Sequence, residues 1–291
     1  MNVHLVDGTF ELFRSYFGAP RAAGRDGSEM GAVRGIVRAL AALLKHQEVT
    51  HVAAAFDTVI ESFRNDMFPG YKSSAGVDPE LLAQFPLAER ATHALGIVVW
   101  SMVEYEADDA IATAALRFAA DADQIVIGSP DRDLCQCIDG QHIVAFDSIR
   151  RRMTNETDVV AKFGVEPRSI PDWLALVGDS ADGFPGVPRC GAKSAAAVLA
   201  RYGHLEDIPT SESDWDVTVR GSAVLAENLR LHLDRAYLYR DLATLRTDVP
   251  LAETLEDLRW RGARRSELEA VCAEIGDTAV MDAVTLWRSD T

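Results

Sequence analysis

Residues 4–9 read HLVDGT and residues 53–58 read AAAFDT. In both stretches a short apolar run ends at an aspartate, Asp7 in the first and Asp57 in the second. Short apolar runs bounded by turn signals are typical of buried strands. Ligands of open α/β sheets bind at the carboxyl ends of the strands, so both aspartates are predicted to lie at the binding edge of a sheet.

Further strands and helices alternate along the chain. Strands are predicted at 3–6, 52–56, 97–100, 124–127, 143–146 and 149–153, with a turn after Asp7. Helices are predicted at 31–46, from Pro79 to about Leu95, and at 106–120. Alternation of this kind predicts an α/β fold, with a central, mostly parallel sheet flanked by helices. We therefore expect an α/β core over residues 1–165 and a helical region over residues 166–291. Within the core, a segment at about 58–95 joins irregular residues 58–78 to the helix predicted from Pro79.

Composition indicates a folded cytoplasmic protein. The chain has 291 residues, of which 48% are hydrophobic, enough for a sizeable core. Its start does not resemble a signal peptide, and no apolar run approaches the roughly 20 residues that span a bilayer. The four cysteines, Cys135, Cys137, Cys190 and Cys272, fit no zinc or redox spacing, so we expect reduced thiols.

Nine acidic residues stand in five short clusters at predicted strand ends, loops and helix starts. They are Asp7, Asp57, Glu106, Asp108, Asp109, Asp131, Asp133, Asp179 and Asp182. Each cluster taken alone is compatible with ordinary helix capping. Together they favour a cation site, because gathered carboxylates repel one another. Oxygen ligands without His or Cys suit Mg²⁺ or Mn²⁺, the usual ions for in-line attack on a phosphodiester.

Net charge alone argues against a nucleic-acid partner, because 29 basic and 45 acidic residues give −16. The nine clustered acids supply over half of that excess, and two divalent ions would cancel about four charges. Any DNA contact must then come from local basic patches, with modest and salt-sensitive affinity.

Two local motifs could contact phosphates. In the first, GFPGVPRCGAKSAAAVLARYG at 183–203, glycine turns precede a helix that is predicted to begin near Ala192. Exposed N–H groups at such a helix start can bind a phosphate without reading bases. The predicted DNA-binding residues are Gly186, Val187, Gly191, Lys193 and Ser194. A purely structural turn is the alternative, although the nearby Asp179 and Asp182 favour function.

In the second motif, Ser62-Phe63-Arg64 and Tyr71-Lys72 follow Asp57. Arg64 and Lys72 are placed to reach a phosphate held by metal ions. The alternative for both is a solvated basic surface.

These residues in this order resemble the 5′ nuclease family, which includes the nuclease domain of bacterial DNA polymerase I, the phage 5′ exonucleases and the flap endonucleases. The family's YEADD motif matches Tyr105–Asp109 letter for letter, and its D-K-D-L motif matches residues 131–134 with Arg132 in place of Lys. Its GDSSDNIPGVPGIGEKTA motif matches residues 178–195, part of a helix–three-turn–helix at about 174–203. Its strand-end acids and its SFR and YK elements match the residues named above. The resemblance runs from Val3 to about Leu251, and more loosely to Asp277.

The resemblance implies a PIN-like nuclease core, a helical DNA-binding element and two divalent ions. Glu106, Asp108, Asp131 and Asp133 would be inner ligands of one ion, alongside Asp7 and Asp57. Asp109, Asp179 and Asp182 would complete the second site. Arg64 and Lys72 would have catalytic roles at the scissile phosphate, and K⁺ could bind at the helix–three-turn–helix. Gly183 in place of the family Asn is expected to loosen that loop.

The implied activity is a metal-dependent 5′-3′ exonuclease and flap-type endonuclease acting on DNA without sequence preference, in replication or repair. A stand-alone monomer that meets proteins such as a DNA polymerase is expected, with no membrane partner. One alternative is a non-catalytic DNA-binding relative. Another is a ribonuclease on a similar acid-lined sheet, which the helix–three-turn–helix disfavours.

Residues 73–89 contain no Lys or Arg, whereas relatives often carry basic residues there, in an arch for the 5′ single strand. We therefore predict that long 5′ flaps are cut more slowly than recessed or nicked 5′ ends. A comparison of initial rates on labelled flap, recessed and nicked duplexes measures this. Equal or faster cutting of the flaps would contradict the prediction.

Overall fold

The computed structural model describes residues 1–289, and the chain packs into two compact units. Unit 1 comprises Met1–Ile60, Ser74–Ser129 and the segment from Thr247 onward. Unit 2 comprises Glu61–Ser73 and Pro130–Arg246. The expected domain boundary near residue 165 lies inside unit 2, and it stays a prediction.

Unit 1 is built on four parallel strands in the order β3-β2-β1-β4. The strands are β1 (Asn2–Asp7), β2 (His51–Asp57), β3 (Val98–Met102) and β4 (Gln124–Gly128). All seven residues of β2 are buried, as expected where helices cover both faces of a parallel sheet. The predicted parallel sheet is confirmed.

Seven α-helices accompany these strands among the described residues of unit 1. They are α1 (Gly8–Gly18), α2 (Gly31–Leu43), α4 (Pro79–Leu82), α5 (Phe85–Ala94), α6 (Ala107–Phe118), α12 (Arg265–Ile275) and α13 (Ala279–Ala283), numbered along the chain. Val33, Ile36 and Leu40 of α2 enter a core shared with Phe56 of β2 and Leu268 of α12. The helical spacing of α2 therefore predicted its buried face.

Two local predictions in unit 1 were wrong. Helix α1 begins directly at Gly8, where a turn was predicted, because Asp7 caps the helix through the Phe10 amide at 2.8 Å. The helix predicted from Pro79 to about Leu95 is broken into α4 and α5. Pro86 causes the break, because its missing N–H and its ring disfavour a continuous helix through the preceding residues.

Unit 2 is mainly helical, with one antiparallel strand pair. The pair is β5 (Ile143–Asp147) and β6 (Arg152–Thr154), shorter than predicted for the second strand because residues 148–151 form the turn. The helices are α3 (Arg64–Met67), α7 (Glu156–Phe163), α8 (Ile170–Val177), α9 (Ala192–Tyr202), α10 (Ser222–Leu231) and α11 (Leu233–Ala243). Helices α8 and α9, joined by a loop over 178–191, lie where the helix–three-turn–helix was predicted, at about 174–203.

Within residues 1–289, no helix has both the length and the apolar character needed to cross a membrane.

Candidate metal centre

The acids of unit 1 lie where neighbouring strands end. Asp7 ends β1 and Asp57 ends β2, and these two strands are hydrogen-bonded neighbours. The Asp7 carboxylate accepts hydrogen bonds from the Phe10 amide and, at 2.9 Å, from the Ser129 hydroxyl. The two carboxylates therefore lie along one edge of the sheet, as their positions in the sequence predicted.

The start of α6 adds acidic residues to this edge. Asp57 Oδ1 accepts a 2.7 Å hydrogen bond from the backbone N–H of Ala107, the first residue of α6. Glu106 caps the helix, and Asp109 Oδ2 accepts from the Glu106 amide at 3.0 Å in a reciprocal capping box. Asp109 is fully buried and Asp108 is half-buried. Capping thus accounts for part of the geometry of Glu106 and Asp109.

A tighter acidic group lies in unit 2, which we call the carboxylate cluster. Oxygen atoms of Asp133, Asp179 and Asp182 all lie within 4.8 Å of one another. All three residues are buried, whereas Asp131 next to them is exposed and accepts a 2.9 Å hydrogen bond from the Asp133 amide. Residues distant in sequence are therefore brought to one point.

The loop after α8 sets the positions of two cluster members. Asp179 and Phe184 exchange backbone hydrogen bonds of 2.8 and 3.0 Å, which closes a tight turn around Asp182. Asp179 Oδ1 accepts from the Ala181 amide at 2.8 Å, and Asp182 Oδ2 accepts from the Tyr71 hydroxyl at 3.1 Å. Both carboxylates are thereby held in fixed orientations.

Gly183 and Gly186 allow this loop to close. Gly183 has φ +87°, and a Cβ atom there would lie 2.1 Å from the Gly70 carbonyl oxygen. Gly186 has φ +74°, and a Cβ would lie 2.4 Å from the Gly178 nitrogen. Glycine at 183 permits a close backbone approach that a side chain would block, and the expectation that Gly183 loosens the loop stays a prediction.

The electrostatics of the cluster favour a cation. Burial and the charges of Asp131, Asp182 and Asp179 raise the pKa of Asp133 well above its usual value. Asp133 Oδ1 is buried without a hydrogen-bond partner among the described residues. A buried carboxylate oxygen facing other carboxylates is the donor set that a hard divalent ion binds, so the residues fit such an ion.

The two basic side chains predicted to contact a phosphate, Lys72 and Arg64, differ in their exposure to solvent. Lys72 is a quarter exposed, and its ammonium group lies 3.9 Å from Asp182 Oδ1. Arg64 is 1% exposed, and its guanidinium donates to the carbonyl oxygens of Leu242 and Thr244 at 2.8 and 3.0 Å. The alternative of a solvated basic surface is therefore wrong for Arg64.

The predicted DNA-binding residues lie in the loop and at the start of α9. Gly191 caps α9, Lys193 is exposed in its first turn and Ser194 is half-buried. Val187 and Gly186 are buried, and the Val187 amide donates to the Leu176 carbonyl at 2.9 Å. Lys193 and Ser194 are thus accessible, whereas Val187 and Gly186 shape the loop.

Several residues that hold acidic side chains in place were not predicted from the sequence. Ser129 holds Asp7, and Thr9 accepts the Asp57 amide at 2.7 Å. Asp172, buried in α8, accepts hydrogen bonds from the Leu205 amide at 3.3 Å and pairs with His204 Nδ1 at 2.8 Å. This pair links the start of α8 to the segment after α9. Ser129 and Thr9 lie close to predicted acidic residues in the sequence, which could have indicated their role. No feature of the sequence indicated the Asp172–His204 pair.

Comparison with known proteins agrees with this architecture. A family model described as the 5′-3′ exonuclease N-terminal resolvase-like domain matches residues 2–164, and the 5′-3′ exonuclease C-terminal SAM fold matches residues 165–266. A 5′-3′ exonuclease of Aquifex aeolicus is 30% identical, over 94% of this chain and 91% of its own length. The chain therefore belongs to the 5′-3′ exonuclease family.

Longer relatives and solved structures share the same regions. DNA polymerase I of Rhizobium leguminosarum is 35% identical over 99% of this chain, which spans 28% of that relative's length. A T5 5′-exonuclease structure with zinc bound has a TM-score of 0.69 at 18% identity and covers 97% of this chain and 96% of its own. The catalytic core of Rad2 with DNA substrate has a TM-score of 0.61 at 14% identity, covering 97% and 89%. These structures establish the fold.

Replacement of Asp133 by Asn should separate the effect of the carboxylate cluster on stability without metal from its role in metal binding. A divalent ion at about 100 times its Kd should stabilise the wild type by about 2.7 kcal/mol. At about 2–4 °C per kcal/mol, the Tm should rise by roughly 5–10 °C. Asp133→Asn should keep or raise the Tm without metal, because it weakens the repulsion within the cluster, and should lose most of the metal-induced rise.

Thermal unfolding with Mn²⁺, Mg²⁺ or EDTA measures both effects. Asp234→Asn, at an exposed acid in the first turn of α11, is the matched control and should keep the full rise. An undiminished metal response in Asp133→Asn would rule Asp133 out as a ligand.

Proposed function

We propose that this protein is a divalent-metal-dependent 5′-3′ exonuclease with structure-specific, flap-type endonuclease activity on DNA. The observation that carries the proposal is the carboxylate cluster in a chain of the 5′-3′ exonuclease family. Its buried Asp133 Oδ1 has no hydrogen-bond partner among residues 1–289. A structural protein would not be expected to bury three carboxylates together, because the cost of doing so is offset only by cations.

We assign all nine acids to metal binding. The three residues of the carboxylate cluster and Asp131 are the ligands in unit 2. Asp7, Asp57, Glu106, Asp108 and Asp109 are the ligands in unit 1. The capping bonds of Asp7 and Asp109 do not preclude this role, since a carboxylate offers about four lone-pair sites. Because all proposed ligands are oxygens, Mg²⁺ or Mn²⁺ are the ions, and two are proposed.

The chemistry is hydrolysis of a phosphodiester. When bound, divalent ions supply a nucleophilic hydroxide from water and stabilise the leaving oxygen. Lys72 is only partly exposed and would neutralise charge that develops on the scissile phosphate. Arg64 would add positive charge and, through the carbonyls of Leu242 and Thr244, would hold the segment in which they lie.

DNA is proposed to bind through its backbone at the loop over 178–191 and the start of α9. The exposed Lys193 and the amides at the start of this 11-residue helix can bind phosphates of any sequence. A K⁺ ion at this element, action in replication or repair beside a DNA polymerase, a cytoplasmic location and a monomeric state complete the proposal. The DNA substrate in the Rad2 complex supports a DNA substrate for this protein.

Asp131→Asn tests the catalytic assignment. The Asn side-chain carbonyl can still accept the Asp133 amide, so the fold should persist while a ligand charge is lost. Even changes to residues that only orient metal ligands cost 10–100-fold, so we expect the rate to fall by at least about 100-fold.

The assay uses 5′-labelled recessed, nicked, flapped and single-stranded DNA and a matching RNA duplex, with Mg²⁺, Mn²⁺ or EDTA. Product sizes distinguish exonuclease from endonuclease action. Cleavage that persists in EDTA or in Asp131→Asn would contradict the proposal. Duplex binding without cleavage would indicate the non-catalytic relative, and preference for RNA would indicate a ribonuclease.

Lys193→Ala tests the DNA-binding assignment. Loss of one phosphate contact should weaken binding equally for all sequences and reduce the slope of log K against log salt by about one. Fluorescence anisotropy with two unrelated duplexes measures the slope. Lys162→Ala, at an exposed lysine in the last turn of α7, should leave it unchanged. A loss confined to one duplex would be inconsistent with backbone binding.

A further inference from the structure

Arg132 is a counter-ion within the carboxylate cluster. Its Nη2 and Nε atoms lie 2.5 and 3.0 Å from Asp179 Oδ2, and its Nε lies 3.9 Å from Asp133 Oδ1. A guanidinium is not deprotonated in proteins, so Arg132 carries a permanent positive charge beside Asp179. Arg132 therefore supplies a positive charge directly to Asp179, in addition to Lys72 near Asp182.

This ion pair puts positive charge directly against one oxygen of Asp179. Asp179 Oδ1 accepts the Ala181 amide, and Oδ2 accepts both guanidinium hydrogen bonds. A divalent ion that binds Asp179 Oδ2 would stand against the guanidinium, and like charges at such short range repel strongly. Metal binding through that oxygen therefore requires Arg132 to move.

A cleft beside the cluster can receive the displaced guanidinium. It has a volume of about 400 Å³ and is lined by Arg132 together with Gly178, Ser180, Gly183 and Phe184. Arg132 is one-third exposed, and the described residues that line the cleft include no acid. A guanidinium that turns into this cleft meets glycine backbone, a hydroxyl and solvent, and it can then pair with an external anion. Its planar donor fork suits a phosphate.

We propose that Arg132 is an exchangeable counter-ion: it neutralises Asp179 until a divalent cation binds, and the displaced guanidinium then binds a backbone phosphate of DNA from the adjacent cleft. The inference rests on the proposed function, because it assumes a metal ion at the cluster. It makes metal and DNA binding mutually favourable, since each ligand removes an obstacle to the other. Lys in the same place would hold Asp179 less firmly, since it lacks the paired donors.

The first test measures Mn²⁺ affinity without DNA by isothermal titration calorimetry. Arg132→Gln should bind Mn²⁺ about three- to tenfold more tightly than the wild type, because the competing cation is gone. Arg132→Lys should fall between them. Arg230→Gln is the control, since Arg230 forms a similar pair with Glu227, at 2.8 and 3.0 Å on α10, and its affinity should equal that of the wild type. Equal or weaker Mn²⁺ binding by Arg132→Gln would overturn the proposal.

The second test measures DNA binding with and without Mn²⁺, on a duplex closed by loops at both ends so that it offers no 5′ end. With Mn²⁺, the salt slope of Arg132→Gln should be smaller than that of the wild type by about one phosphate contact. Without metal the two slopes should agree, because Arg132 is then paired with Asp179. A slope difference that is the same in both conditions, or absent in both, would overturn the exchange.

The two tests also separate this inference from the proposed function. If the wild type binds no Mn²⁺, the proposed function fails and the inference fails with it. If the wild type binds Mn²⁺ and Arg132→Gln matches it in both tests, only the exchange is wrong.

Discussion

The mutual repulsion of Asp133, Asp179 and Asp182 is the constraint on which the rest of unit 2 depends. Three buried carboxylates within 4.8 Å are costly unless positive charge is supplied. The chain supplies part of it with Arg132 on Asp179 and Lys72 near Asp182. The remaining deficit is felt at Asp133, whose pKa is raised by burial and by its acidic neighbours. The uncompensated negative charge of this cluster favours the binding of a further cation.

The backbone around these carboxylates holds them close together despite their repulsion. Gly183 and Gly186 let the loop after α8 close against other backbone, and the Tyr71 hydroxyl fixes Asp182. In unit 1 the sheet positions the acidic residues, because parallel strands end together and place Asp7 and Asp57 at one edge. Helix capping there orients the carboxylates by backbone and hydroxyl donors, which fixes the positions of their oxygen atoms without neutralising their charge. Local structure and ligand geometry are thus served by the same hydrogen bonds.

Much of the architecture could be predicted from local patterns. Asp7 and Asp57 follow apolar runs, and the spacing of Val33, Ile36 and Leu40 marks a buried helical face, so the parallel sheet and α2 followed directly. Helix α1 was missed because Asp7-Gly8 is equally typical of a turn, and only the cap at Phe10 decides between them. The approach of Asp133 to Asp179, and the commitment of Arg132 to the latter, depend on tertiary packing. No periodicity encodes such contacts, which is why the counter-ion emerged only from the structure.

The central claim is that the carboxylate cluster binds a divalent cation, and anomalous diffraction from crystals soaked in Mn²⁺ tests it most directly. The account predicts an anomalous peak bonded to oxygens of Asp133, Asp179 and Asp182, with Arg132 withdrawn from Asp179. An empty cluster at saturating Mn²⁺, with the Arg132–Asp179 pair intact, would contradict it.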